Sequence, residues 1–263
     1  MVVKNVKLYG TKRKINLGEV VMEPSAALLI AIVVLLIGIS KSAFAGALGV
    51  FAVPLLMFKF TAIEAITLML PLLIIADTMS IKSFWKKWDK ELLALLIPGA
   101  IVGIVIANLL IDYINSGYLR NIIAYICIIF ALKNIFFQRL QLSFIQNRVG
   151  AYFMSACSGI SSTLVHAGGP PLIIYFTAIG LPRTQFVATA AAFFAVMNII
   201  KLMGVLSLGL LSIETVITAL AFFPLALVGN WLGLKINQNL DKQLFEKVMN
   251  YVLLILGGWL AVN

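Results

Sequence analysis

The chain has 263 residues, of which 62% are hydrophobic and 11% are charged, whereas soluble domains carry roughly 25% charged residues. This composition excludes an ordinary soluble domain and predicts an all-α integral membrane protein. The 20 Lys and Arg residues outnumber the 10 Asp and Glu residues, but they occur in short loops beside apolar segments. Their excess therefore indicates contact with anionic lipids and a role in topology, and not nucleic-acid binding.

The first apolar segment, Ala26–Phe58, follows a polar arm at residues 1–24 that we expect on the cytoplasmic side. As one helix, the segment would be about 50 Å long at 1.5 Å per residue, well beyond the hydrocarbon core of about 30 Å. Gly, Ser and Lys residues interrupt it at 38–49, and Pro54 follows the interruption. The pattern therefore predicts two shorter helices joined by a break.

Three apolar segments of near-spanning length complete a first half of the chain. They are Ala62–Ile81, Leu92–Ile111 and Leu119–Phe136. Between the first two, residues 82–90 combine tryptophan with lysine, which is typical of a cytoplasmic membrane interface. A polar linker at residues 138–148 then separates a first repeat at 25–137 from a second repeat at 149–263.

The second repeat has the same organisation as the first. It begins with a broken segment, Val149–Leu181, whose interruption reads His166-Ala167-Gly168-Gly169-Pro170-Pro171. The later segments are Phe186–Leu211, Val216–Leu234 and Phe245–Ala261. Asp77 and Asn198 occupy equivalent positions in the two repeats. The chain is therefore expected to form about eight transmembrane segments in two repeated halves, each starting with a broken helix.

The relation between the repeats depends on how each broken segment crosses the membrane. Four full crossings per half would make the repeats parallel, whereas a broken segment that doubles back would leave three crossings and make them inverted. We prefer eight crossings with a cytoplasmic N-terminus, because the basic loops at 82–90 and 138–148 then lie on the positive-inside side.

The two breaks predict a binding site for a small anion. Irregular backbone at membrane depth is tolerated only where it is buried in protein or lines a watery cavity. Exposed N–H groups at helix N-termini favour anions, and glycine lets backbone approach them closely. The candidate substrate-binding residues in the breaks are Ser40, Phe44, Gly46, Gly49, Ser161, Ser162, Gly168 and Gly169. Helix packing is the alternative role of these small residues.

Two lysines are further candidates for substrate binding. Lys41 lies within the first break, and Lys201 lies inside the later apolar segment Phe186–Leu211. A lysine at membrane depth is costly unless it is paired or hydrated, although a long side chain can also extend to the interface. Asn198 precedes Lys201 by one helical turn, is predicted on the same helix face and is a further candidate for substrate binding. Asp77 is expected to pair with a lysine or to take part in proton movement.

His166 is the only histidine of the chain. Because imidazole changes its charge near neutral pH, we assign it to substrate binding and to coupling of a proton to the anion; structural hydrogen bonding is its alternative role. The other candidate coupling and gating residues are Asp77, Pro54, Pro170 and Pro171.

An intramembrane enzyme is a much weaker alternative. Ser161 or Ser162 with His166 would form a nucleophile and base, but no Asp or Glu occurs from residue 115 to residue 213 to orient the imidazole. No cofactor, metal or catalytic residue is predicted. The two cysteines, Cys127 and Cys157, lie in apolar segments without metal-ligand spacing.

The motif at His166–Pro171, followed by Asn198–Lys201 and Leu208–Leu211, resembles the TauE/SafE sulfite exporter family, also called TSUP. Gly38–Pro54 resembles the first break of that family, and its Lys41–Gly46 portion keeps the lysine, the phenylalanine and one glycine of a glycine-rich pattern. The resemblance covers the chain beyond its N-terminal arm. It implies a multi-spanning transporter, built from two repeated halves, of small sulfur-containing or organic anions such as sulfite, sulfonates or related carboxylates.

A transporter in the cell membrane is therefore the leading hypothesis. Because the chain lacks a phosphate-binding G-x-x-x-x-G-K-[ST] motif, a secondary transporter is expected and not an ATP-driven one. Its expected partners are the small anion and membrane lipids, and assembly into a homo-oligomer is left open. An anion channel would use the same residues and is the main alternative.

Overall fold

The computed structural model describes residues 23–43, 47–113, 116–136 and 145–239, with 251, 254–255 and 257–262 near the C-terminus. All regular elements within these ranges are helical. The first five are α1 (Pro24–Ala43), α2 (Ala52–Leu56), α3 (Ala62–Ser83), α4 (Lys90–Tyr113) and α5 (Ser116–Phe136). The next five are α6 (Arg148–Val165), α7 (Gly169–Ala178), α8 (Arg183–Ser207), α9 (Ile213–Ala221) and α10 (Phe223–Asn239).

Four helices in the described ranges, α1, α3, α4 and α8, are long and apolar enough to cross a membrane. A fifth span results if α9 and α10, which are bent by 46° relative to each other, are counted as one broken segment. The prediction of an all-helical, multi-pass membrane protein is thus confirmed. The number of eight crossings stays a prediction, and much of the last predicted segment, 245–261, lies outside the described residues.

The helices are interrupted at both predicted breaks. After α1 ends at Ala43, a 3₁₀ turn at Ala47–Phe51 leads into α2, which contains Pro54. In the second break, α6 ends at Val165 and α7 begins at Gly169. Proline is compatible with the first turn of a helix, because the N–H that it lacks would have no partner there. Pro170 and Pro171 therefore fix the start of α7.

Two predicted segments have different limits in the structure. The segment that we predicted to end at Leu211 ends at Ser207, because Gly209 adopts a left-handed φ of 65° and Leu210 N–H bonds to Val205 O at 3.1 Å, a helix C-cap. The segment predicted at 216–234 begins at Ile213 and divides into α9 and α10. Pro224, which has no N–H to continue a helical ladder, follows the division.

Small residues bring the long helices close together. The helix α1 packs along α10, α4 packs along α6, and α3 packs on α8. A Cβ atom built on Gly38 of α1 would lie 2.6 Å from Ala226 O of α10, and one built on Gly229 would lie 3.2 Å from Gly38 Cα. Gly103 and Gly159 make the corresponding contact between α4 and α6. Association of membrane helices depends on such close packing.

We expect Gly38→Ala to destabilise the protein by about 1–3 kcal/mol, as overpacking usually does. The added methyl group would meet the backbone of α10 and not a flexible side chain, so the helices would have to separate. Thermal unfolding in detergent measures the effect. Gly258→Ala is the matched control, because no described atom beyond its own helix backbone lies within 4 Å of a Cβ built there. Equal melting temperatures of the two variants would contradict the expectation.

The long helices also carry a group of buried polar side chains. They come from α1, α3, α6, α8 and the turn after α6, and include Ser40, Asp77, Ser162, His166, Asn198 and Lys201. Burying polar groups is unfavourable unless they bond to one another. Their mutual contacts define the candidate site.

Candidate functional site

Asp77 binds two partners from different helices. Its Oδ1 forms an ion pair with the ammonium of Lys41, and its Oδ2 accepts a 2.5 Å hydrogen bond from Asn198 Nδ2. Asp77 is 3% exposed, so water screens this ion pair little. The expected lysine partner of Asp77 is therefore Lys41, and Asn198 links this pair to α8.

Lys201 is 2% exposed and lies in α8, three residues after Asn198. Its Nζ donates to Ser162 O, to Ser162 Oγ and to His166 Nδ1, each at 3.0 Å. Three acceptors match the three donors of an ammonium group. In the part of the chain that the structure describes, the ion pairs of lysines are Lys41–Asp77 and Lys59–Glu23. Lys201 therefore has no carboxylate in contact there.

His166 follows α6 and has a left-handed backbone conformation, with φ of 54°. Its Nε2 lies 2.9 Å from the carbonyl oxygen of Ile66 on α3. Because a carbonyl only accepts, Nε2 carries the proton, and Nδ1 is the acceptor for Lys201. The ring is therefore neutral and fixed in one tautomer. It joins the second break to α3 and α8.

Serine hydroxyls hold the carbonyl groups around the second break. Ser161 Oγ donates to Ala167 O at 3.0 Å, and Ser158 Oγ donates to Gly168 O at 2.7 Å. Ser158 was not among the predicted site residues, although it precedes Ser162 by one helical turn. The hydroxyl of Ser162 bonds to Lys201. None of the hydrogen bonds described for this region joins a serine hydroxyl to the imidazole of His166, as a nucleophile and base would require.

A small cavity of about 20 Å³ lies between the two breaks. Seven of the predicted substrate-binding residues line it: Ser40, Lys41, Gly49, Ser162, His166, Gly169 and Asn198. Lys201, Ser161 and Gly168 are near these residues but do not line the cavity, and Phe44 and Gly46 lie outside the described residues. Of the predicted coupling residues, Asp77 bonds to two lining residues. Pro54, Pro170 and Pro171 are buried in α2 and α7.

Apolar side chains that the sequence analysis did not single out form the rest of the wall. Ile37, Leu73 and Phe194 each line the cavity. Each precedes a polar site residue by four positions, one helical turn, so it faces the same side of its helix. That spacing from Lys41, Asp77 and Asn198 is the sequence signal that could have identified them.

The volume of the cavity limits what it can hold. A cavity of about 20 Å³ has room for roughly one water molecule. An oxyanion with three or more oxygen atoms needs more space. The cavity in the structure is therefore too small for such an anion, and the carboxylate of Asp77 is the negative group bound to Lys41.

A comparison with family models adds an independent observation. The model described as "Sulfite exporter TauE/SafE" matches residues 30–260. This range includes both breaks and every residue that lines the cavity. No curated protein sequence and no solved structure showed a significant match.

Proposed function

The chain belongs to the TauE/SafE sulfite exporter family, and we propose that it is a secondary transporter that exports a small sulfur-containing or organic anion such as sulfite or a sulfonate. The observation that carries this proposal is Lys201, which is buried beside a helix break and contacts no described carboxylate. An uncompensated charge at membrane depth is costly. A bound anion would supply the missing negative charge.

The wall of the cavity offers donors for such an anion. Ser162 Oγ accepts a hydrogen bond from Lys201, which polarises the hydroxyl and leaves its own proton available to a ligand. Gly169 begins the ten-residue helix α7 at the cavity. Since Pro170 and Pro171 have no N–H, Gly169 supplies the first amide at this positive helix end. Lys41 provides a second ammonium on the opposite break.

Asp77 is the proposed coupling residue. In the structure its carboxylate neutralises Lys41, so it competes with a substrate anion for the same ammonium. Protonation of Asp77, or its displacement, would release Lys41 and allow the cavity to widen. The helices that follow the breaks, α2 with Pro54 and α7 with Pro170 and Pro171, are the proposed gating elements. His166 is the proposed link between them and Lys201, through its bond at 3.0 Å.

The division into repeats at 25–137 and 149–263 is part of the same proposal. In support, the first helix of each half packs on a helix of the third predicted segment of the other half: α1 on α10, and α6 on α4. The helices of the second predicted segments, α3 and α8, pack on each other, and Asp77 and Asn198 meet at their contact. Rocking of one half against the other in the cell membrane would then expose the site alternately to each side.

Sulfite counterflow in proteoliposomes tests the transporter. We expect saturable uptake of labelled sulfite that increases when unlabelled sulfite is present on the opposite side, because a carrier exchanges ligand across one site. Empty liposomes are the control. Uptake that is neither saturable nor stimulated from the opposite side would contradict a carrier and indicate an anion channel. Absence of uptake with both sulfite and sulfonates would contradict both.

A further inference from the structure

The side-chain amide of Asn198 has one end bonded and one end free. Its Nδ2 donates to Asp77 Oδ2 at 2.5 Å. Its Oδ1 is buried and has no hydrogen-bond partner among the described residues. Asn198 is 2% exposed and lines the cavity. Buried acceptors of this kind are uncommon in native structures, and each calls for a donor.

The orientation of this amide follows from the charge of Asp77. A carboxylate accepts hydrogen bonds but has no proton to donate. Rotating the amide by half a turn would bring Asn198 Oδ1 against Asp77 Oδ2, two acceptors without a hydrogen between them. As long as Asp77 is ionised by its pair with Lys41, Oδ1 is therefore held away from Asp77. The amide atom that is left for a ligand is therefore an acceptor and not a donor.

The charges around the cavity give a second constraint. The ammonium of Lys41 is neutralised by Asp77. His166 is neutral in the tautomer that its bonds to Ile66 and Lys201 require. The ammonium of Lys201 remains, so the described groups at the site sum to one positive charge. A ligand with a single negative charge brings this sum to zero, whereas a dianion leaves an excess negative charge in a buried place.

We propose that Asn198 is a specificity-determining residue that selects a monovalent oxyanion carrying one O–H group. The anion's hydroxyl donates to Asn198 Oδ1, and its charge balances Lys201. Of the two forms of sulfite in water near neutral pH, the site binds hydrogen sulfite and not the dianion. This inference rests on the proposed function, since it names the chemical form of the anion that the same site binds.

Matched anion pairs test the proposal by calorimetric or thermal-shift titration of the purified protein in detergent. Bicarbonate and nitrate are both flat monoanions with three oxygens, but only bicarbonate has an O–H group. Hydrogen sulfite and methanesulfonate form a second pair. The wild type is expected to bind the hydroxyl-bearing member of each pair about tenfold more tightly, as one hydrogen bond in a buried site provides. Sulfate, a dianion without O–H, is expected to bind weakest.

The near-isosteric variant Asn198→Leu is expected to bind both members of each pair equally. Asn108→Leu is the matched control, because Asn108 on α4 also has a buried Oδ1 without a described partner but does not line the cavity. It should keep the tenfold preference. The wild-type comparison alone decides the matter if Asn198→Leu does not fold.

The failures of the two proposals are distinguishable. If the wild type binds the anions but does not prefer the hydroxyl-bearing members, the role of Asn198 is overturned and the transport proposal stands. A preference that persists in Asn198→Leu also overturns that role. If no anion in the panel binds, the anion site itself is overturned, and the specificity with it.

Discussion

Lys201→Met is expected to weaken anion binding about 100-fold, because it removes the one charge at the site that no described carboxylate balances. A unit charge roughly 6 Å from the anion contributes on the order of 3 kcal/mol at an effective dielectric constant of about 20. Methionine has a similar length, so the loss reflects charge more than volume. The variant also removes the donor that positions Ser162 and His166. A thermal-shift titration of the detergent-solubilised protein with sulfite measures the change in affinity.

Lys59→Met is the matched control for this variant. Lys59 pairs with Glu23 on the exposed surface, 3.3 Å away, and exposed pairs contribute about 0–1 kcal/mol. It removes the same charge from the chain, but at the exposed surface and not from the buried polar group around Asp77 and Lys201. We expect it to bind sulfite like the wild type. An unchanged affinity in Lys201→Met, with a folded protein, would show that the buried ammonium serves packing alone.

Asp77→Asn is expected to have two opposite effects. Without an anion, it leaves Lys41 buried beside a neutral amide, and removal of one partner from a buried ion pair typically costs about 3–5 kcal/mol of stability. With an anion, the site offers two uncompensated ammonium groups. Affinity should therefore rise, and dianions such as sulfate should gain more than monoanions such as nitrate. Melting temperatures without anion and over an anion titration measure both effects.

Glu64→Gln is the control for Asp77→Asn, since it removes a carboxylate from the same helix at the exposed capping box with Thr61. Glu64→Gln should change neither the affinity for anions nor the ratio of sulfate to nitrate affinity. In proteoliposomes, Asp77→Asn should also carry the anion without accompanying protons. Coupled proton movement that persists in this variant would exclude Asp77 as the coupling residue, and an unchanged ratio of sulfate to nitrate affinity would exclude its competition with the substrate.

The membrane class and the positions of the breaks could be read from local sequence because their causes are local. Twenty or so apolar residues specify a helix that can cross a bilayer. A pair of prolines can begin a helix but cannot lie in its middle. The C-terminal end of α8 could not be predicted in this way. Gly209 lies within an apolar run of the sequence, and its left-handed φ of 65° ends the helix before it.

The candidate site divides in a similar way. Lysine, aspartate and histidine at membrane depth were recognised because such residues are costly there. The residues that they contact could not be identified from the sequence, because the partners are far apart along the chain. The bond between His166 and Ile66 crosses 100 positions, and that between Asn198 and Asp77 crosses 121. The apolar wall of Ile37, Leu73 and Phe194 became visible only after the polar residues one turn away were known to face a common cavity.

The sequence by itself determined that the chain is a helical membrane protein, that two helices break, and that charged residues lie near the breaks. Those properties follow from hydropathy and from backbone chemistry, which act over one or two helical turns. Only the tertiary structure decided that Asp77 neutralises Lys41 while Lys201 is left with neutral partners. The reason is physical: both lysines have the same intrinsic charge, and the packing of α3 between α1 and α8 decides which of them a carboxylate reaches.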